Sequence, residues 1–311
     1  MRGLRYCAAT IILILIILLA SCNLDNHDSV AEKENITVIT SFYTMYEFTK
    51  QIAQDQVDVQ MLIPPHVTPH DWDPAPKDIR AVQDADLFVY SSEHFETWVP
   101  NIDKSLNNSK TRFVHASEGI SLLHGDETDG HHEHNHDHAI DPHVWLSPVL
   151  AQKQVENIAK ALIEIDPNNE PFYAEHRDRY LEQLQKLDEE YRETLRRVTK
   201  KEFITQHSAF GYLANEYGLT EIPIAGLSPS LEPSASQLAE LKKIAHDHEI
   251  TTIFFEDLSN PKTAQTLANE IGAEVDVLSS LEGLTKEQQD KEHTYIDIMR
   301  LNLKALEKSL K

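Results

Sequence analysis

Seventeen histidines stand among the 311 residues, more than either phenylalanine or tyrosine at ten each. Neutral imidazole is a borderline-soft donor suited to zinc, nickel and copper, so this excess points first to metal chemistry. Seven of the 17 fall in one stretch: His124, His131, His132, His134, His136, His138 and His143. Asp126, Glu127, Asp129, Glu133 and Asp137 are interleaved with the first six. Residues 124–138 have no apolar periodicity and carry two glycines, so they read as a loop that captures metal weakly and with mixed geometry. A selective site needs donors on rigid elements. Four stretches suit it: Pro69-His70-Asp71-Trp72, Asp141-Pro142-His143-Val144-Trp145, Thr205-Gln206-His207-Ser208, and Ser280-Leu281-Glu282-Gly283-Leu284. Their candidate donors are 73, 64 and 75 residues apart, and no local spacing rule joins such distant positions. The only cysteines, Cys7 and Cys22, are near the N-terminus, which leaves the body without a thiolate site or a disulfide. There is no H-E-x-x-H and no nucleophile elbow, so a secreted zinc hydrolase lacks its usual parts. Glu256 is the nearest nominee for its base.

The elements that must position these donors alternate. Strands are predicted at Ile36–Thr40, Val57–Ile63, Leu87–Tyr90 and Arg112–Val114, with helices at Phe42–Asp55, Lys77–Asp84 and Phe95–Leu106. Strands resume at Phe203–Gln206, Ile222–Ala225, Thr251–Phe255 and Val275–Leu278, around helices at Ala209–Tyr217, Ser236–His248 and Lys262–Ile271. This alternation implies an α/β fold of two lobes, each with a parallel-type sheet flanked by helices. Between the blocks, Tyr173, Tyr180, Leu184, Leu187, Tyr191, Leu195 and Val198 form one helical stripe. Glu175/Arg179, Glu182/Lys186, Asp188/Arg192 and Glu193/Arg197 support it as i,i+4 pairs. Such a stripe also suits a coiled-coil partner. A single helix between two α/β blocks fits better as a stiff strut on the order of 45 Å long. The resulting division is 36–166 for the first lobe, 167–200 for the connecting helix and 201–311 for the second lobe. In α/β sheets the ligand crevice lies at the carboxyl ends of the strands, where three of the four candidate stretches hand over to the next element.

Residues 1–21 read as a secretory signal, with Arg2 and Arg5, an apolar run from Ile11 to Leu19, and a small-residue processing site. Leu19-Ala20-Ser21-Cys22 resembles the bacterial lipobox, which implies diacylation of Cys22 and an anchor on the outer face of the cell membrane. Residues 22–35 are polar and read as a tether. With 28 basic and 51 acidic residues the net charge is −23, which argues against a nucleic-acid partner. Hydrophobic content of 41% and charged content of 25% suit a folded protein.

The four stretches, together with Phe95-Glu96-Thr97-Trp98, Ser117-Glu118-Gly119-Ile120, Glu216-Tyr217-Gly218-Leu219 and the segment from Phe255-Glu256 to Glu270-Ile271-Gly272, carry a resemblance. From about Ile36 to the C-terminus the chain resembles the metal-specific solute-binding lipoproteins of bacterial ABC importers, in their zinc branch. The resemblance implies a metal in a cleft between two lobes joined by one long rigid helix, a monomer, and delivery to an ABC permease with its ATPase. It implies His70, His143, His207 and Glu282 as metal ligands. Asp276, six residues before Glu282, is the alternative fourth ligand. It makes Glu256 a lobe-core or hinge position and treats His66 as rim. His94 stands where relatives often have Gly, and His115, His176, His246, His248 and His293 read as solvated or capping groups.

Three imidazoles and one carboxylate complete a tetrahedral shell for Zn²⁺. Manganese prefers more oxygen donors and is the alternative cargo. A surface adhesin of the same family is a further alternative, and a zinc hydrolase the rival class. Zinc affinity is expected to fall below about pH 6.5, the unperturbed imidazole value. Deleting Gly125–His138 is expected to remove several weak metal equivalents and leave one tight site intact. A competition titration against a strong chelator, run on the intact and shortened chains, checks this. Loss of the tight site would place a primary ligand in the loop.

Overall fold

The computed structural model describes residues 36–106, 109–124, 140–227 and 234–311. The leader, the tether with Cys22, and His131, His132, His134, His136 and His138 lie outside the described residues. His124 is described, in an antiparallel bridge with Ile140.

The first sheet comprises β1 (Thr37–Thr40), β2 (Asp58–Met61), β3 (Leu87–Tyr90) and β4 (Arg112–His115), in the order β2-β1-β3-β4. The second comprises β5 (Glu202–Thr205), β6 (Thr220–Pro223), β7 (Thr252–Phe255) and β8 (Glu274–Val277), in the order β6-β5-β7-β8. Every pairing is parallel, as the alternation predicts. The helices are α1 (Tyr43–Ala53), α2 (Pro76–Asp84), α3 (Val99–Ser105), α4 (Pro148–Ile165), α5 (Glu170–Leu195), α6 (Gly211–Tyr217), α7 (Ala235–Asp247), α8 (Lys262–Ile271), α9 (Lys286–Asp290) and α10 (Tyr295–Ser309).

Local chemistry explains most boundaries. Strand β2 stops before Pro64-Pro65 because proline cannot donate to the ladder. Helix α3 is shorter than its predicted Phe95–Leu106 range. The turns ahead of it are taken by Glu96, whose carboxylate accepts from the Ser91 and Ser92 amides at 2.9 and 3.0 Å and the Ser41 hydroxyl at 2.6 Å. Helix α7 has the reciprocal Ser234/Gln237 capping box that its sequence announces.

Helix α5 has 26 residues and runs about 39 Å at 1.5 Å per residue. The stripe from Tyr173 to Leu195 is buried, and three of the four expected ion pairs close within 2.9 Å. It is the long joining helix expected from the sequence, and it is packed on along its length. Helices α1, α4, α6 and α10 pack along it, and neither α4 nor α10 is among the helices predicted from the sequence. Phe48 of α1 lies 6.0 Å from the Tyr180 ring, and the Tyr191 hydroxyl donates to the Met299 carbonyl of α10 at 2.6 Å. The coiled-coil alternative is thereby answered, because the stripe is covered from within the chain. One continuous core runs from Val38 and Phe48 through Leu184 and Tyr191 to Tyr295 and Leu306, with a smaller core on the outer side of each sheet.

Because Leu184 is fully buried in this shared core, Leu184→Ala is expected to lower stability by about 2–5 kcal/mol. Arg179→Ala, on the exposed face, should change stability too little to measure. Denaturant titration of the two variants checks the contrast.

Candidate metal centre

The structure brings His70, His143, His207 and Glu282 together. One ligand atom from each lies within 4.8 Å of all the others. Glu282 Oε1 is 3.2 Å from His70 Nε2, 3.6 Å from His143 Nε2 and 3.9 Å from His207 Nε2. His70 Nε2 and His143 Nε2 are 3.4 Å apart. A tetrahedron of donors about 2.0 Å from a zinc ion has edges of about 3.3 Å, so the cluster is close to the size zinc needs. His143, His207 and Glu282 are buried, and the His70 side chain retains 11% exposure. Asp276 is not part of the cluster. It sits on β8, where its carboxylate pairs with Lys308 at 3.2 Å.

Each donor is seated differently. His70 stands on a 3₁₀ turn, Pro69–Asp71, beyond the carboxyl end of β2, with its ring edge-on to Phe95 at 5.0 Å. His143 lies just before a buried 3₁₀ turn, Val144–Leu146, and its Nδ1 donates to Asp141 Oδ1 at 2.8 Å. The same oxygen accepts the His143 backbone amide at 2.9 Å. His207 follows β5, and its Nδ1 donates to Glu256, which directly follows β7. With Nδ1 engaged by a carboxylate, Nε2 is the nitrogen each ring turns toward the cluster, and it offers a lone pair there once its own proton is lost. His207 Nε2 is buried and has no hydrogen-bond partner. Burying such an atom is costly unless something coordinates it.

Glu282 is held by the other lobe. Its neighbours bond to the first lobe: Trp145 Nε1 donates to the Ser280 carbonyl at 2.8 Å, and the Thr44 hydroxyl to the Leu281 carbonyl at 2.6 Å. The Leu284 amide donates to the Pro65 carbonyl at 2.7 Å. Leu281 has a positive φ of 57°, a conformation these bonds keep in place. A Cβ on Gly283 would meet the Pro65 carbonyl oxygen at 2.2 Å, so only glycine lets the segments approach this closely.

A family model described as zinc-uptake complex component A, periplasmic (ZnuA), matches residues 38–309. The chain belongs to the ZnuA family. It is 53% identical over 302 residues to the high-affinity zinc uptake system protein ZnuA of Bacillus subtilis, covering 94% of each chain. It is 43% identical over 278 residues to the zinc-binding lipoprotein AdcA of Streptococcus pneumoniae, covering 88% of this chain but only 56% of that longer protein. The crystal structure of the Zn(II)-bound ZnuA-like domain of that AdcA superposes with a TM-score of 0.78 at 40% identity, over 89% of this chain and 99% of that one.

Within this ZnuA-family chain, sequence reasoning missed the role of two residues: Asp141, quoted only as part of the His143 stretch, and Glu256, read as a nominee base or a lobe-core or hinge position. Asp141 carries a local signal, since it stands two residues before His143. Glu256 is 49 residues from His207 and has none. Of the other described histidines, His176 Nδ1 donates to the Phe172 carbonyl at 2.9 Å, His115 stacks on Tyr90, and His246 faces solvent.

Electrostatics at the centre depart from free imidazole. Burial alone would lower the His143 value, but the carboxylates of Asp141 and Glu282 outweigh it and raise it to about 10. His207 is likewise raised, with burial opposed by the charge and hydrogen bond of Glu256. Burial would raise Glu282, yet the surrounding His70, His143 and His207 hold it well below the usual carboxylate range. The sign follows directly. A proton and a metal ion compete for the same Nε2 lone pair, so raised imidazole values make metal binding weaken as pH falls, starting above neutrality. This moves the expected onset upward from about pH 6.5. Zinc binding at pH 7.5 should release about one proton or more per ion. Calorimetry in buffers of different ionisation enthalpy measures the number, and no release at pH 7.5 would contradict the raised values.

Proposed function

We propose that this chain is the extracytoplasmic zinc-binding component of a bacterial zinc importer. It captures one Zn²⁺ through His70, His143, His207 and Glu282 and delivers it to an ABC permease powered by its ATPase. The observation that carries the reading is the buried Nε2 of His207, without a hydrogen-bond partner and within 4.8 Å of a donor atom from each of His70, His143 and Glu282. Zinc is the cargo rather than manganese, since three nitrogens and one oxygen suit zinc and manganese prefers more oxygen. The chain works as a monomer, held at the membrane by a diacylated Cys22 after removal of residues 1–21.

Carriage is favoured over hydrolysis by the same donors. A catalytic zinc keeps an open position and a general base beside it. On this reading four protein donors fill the shell, and Glu256, the sequence's nominee for a base, is engaged with His207 Nδ1.

Metal analysis of the purified chain should find one tightly held zinc. His143→Ala should lose more affinity than the roughly 10–100-fold typical of removing an outer hydrogen-bond partner. It should also abolish growth support in zinc-poor medium, while the wild type shows no peptide, ester or phosphate hydrolysis. Unchanged zinc affinity in His143→Ala would sink the assignment.

A further inference from the structure

The four donors are divided unequally between the two halves of the molecule. His70 and His143 stand on first-lobe segments. Glu282 follows β8 of the second sheet, but the Ser280, Leu281 and Leu284 backbone groups around it bond to Trp145, Thr44 and Pro65 of the first lobe. Only His207 is both borne and backed by the second lobe, on the loop after β5 with Glu256 behind it.

The segment that carries His207 continues into α6, and α6 reaches across to the first lobe through Tyr212. The Tyr212 hydroxyl donates to the Asp141 carbonyl at 2.7 Å and accepts the Leu123 amide at 2.9 Å. Tyr212 is itself buried, and its neighbour Gly211 lies so close that a Cβ there would meet Asp141 Oδ2 at 2.8 Å. The residue that Tyr212 grips is therefore the one whose carboxylate orients His143. One hydroxyl ties the His207-bearing segment to the seat of a ligand in the opposite lobe.

We propose that zinc is received by a three-donor half-site of His70, His143 and Glu282 belonging to the first lobe, and that Tyr212 is the positioning residue that latches His207 over it. The inference rests on the zinc-binding reading above. The order follows from the anchoring. Breaking the Tyr212 bonds frees the segment that carries His207, while the three donors tied to the first lobe stay in place. Tyr212 touches no metal. It acts by keeping the fourth donor seated, so its effect falls on escape of the ion rather than on capture.

The test is stopped-flow exchange of zinc against a chromophoric chelator on the full chain. Tyr212→Phe keeps the ring and removes only the hydroxyl, and should speed zinc dissociation by roughly five- to tenfold with the association rate unchanged. Tyr217→Phe is the control. It removes a hydroxyl of the same helix that bonds Asp188 at 3.0 Å, away from the cluster, and should leave both rates at the wild-type value. In a second arm, equilibrium titration with Co²⁺ should show His207→Ala still taking up one ion, more tightly than His143→Ala does. Wild-type dissociation in Tyr212→Phe, an equal acceleration in Tyr217→Phe, or weaker Co²⁺ binding by His207→Ala than by His143→Ala would each overturn the proposal. A wild-type chain that holds no tight zinc would overturn the importer reading instead.

Discussion

A buried imidazole can offer a lone pair at one nitrogen only if the proton on the other has an acceptor. Asp141 and Glu256 are those acceptors, and much of the architecture serves to place them. Asp141 sits where its own carbonyl and amide are taken up by Tyr212 and Leu123. Glu256 follows β7, a central strand of the second sheet, beside the β5 strand that leads to His207. The carboxylates thus set ring orientation, and which nitrogen keeps its proton, before any ion arrives. The same negative groups raise the imidazole values, so preorganisation comes with a proton that the metal must displace.

The second organising feature is the absence of a clean divide between the halves. The main core is continuous from the first sheet through α5 to α10. Tyr295 of α10 packs on Phe48 of the first lobe, and its hydroxyl donates to the Trp145 carbonyl at 2.6 Å, two residues from His143. Tyr43 donates across to the His293 carbonyl at 3.1 Å. A chain stapled this way resists wide hinge bending, because these buried contacts would have to break together.

Both sheets and the long helix are legible in the sequence because they depend on local periodicity. Leu87–Tyr90 is a run of apolar and aromatic residues that can only be a buried strand, and Tyr180, Leu184, Leu187 and Tyr191 repeat at helical spacing. Helix α4 also carries a stripe, at Ala151, Val155, Ile158, Ala159 and Leu162, yet it is absent from the predicted helices beside the histidines and prolines that precede it. The metal cluster is legible only as separate stretches. Nothing in the spacing of His70, His143, His207 and Glu282 encodes their convergence, which arises from the packing of loops that follow different strands; resemblance supplied what periodicity lacks. The choice between Glu282 and Asp276 turns on whether a side chain faces the cleft or Lys308, and the short irregular stretch after Val277 carries no such signal.

The two sheets share one strand order, with the first strand of each block beside the second and third. Each donor-bearing loop therefore hangs from a different rung of a repeated frame, and no two are neighbours in sequence. Such a layout is modular in the way it can vary. A loop can lengthen, shorten or exchange its donor without altering the register of any strand, so the frame can be kept while the chemistry of the cleft is rewritten one corner at a time.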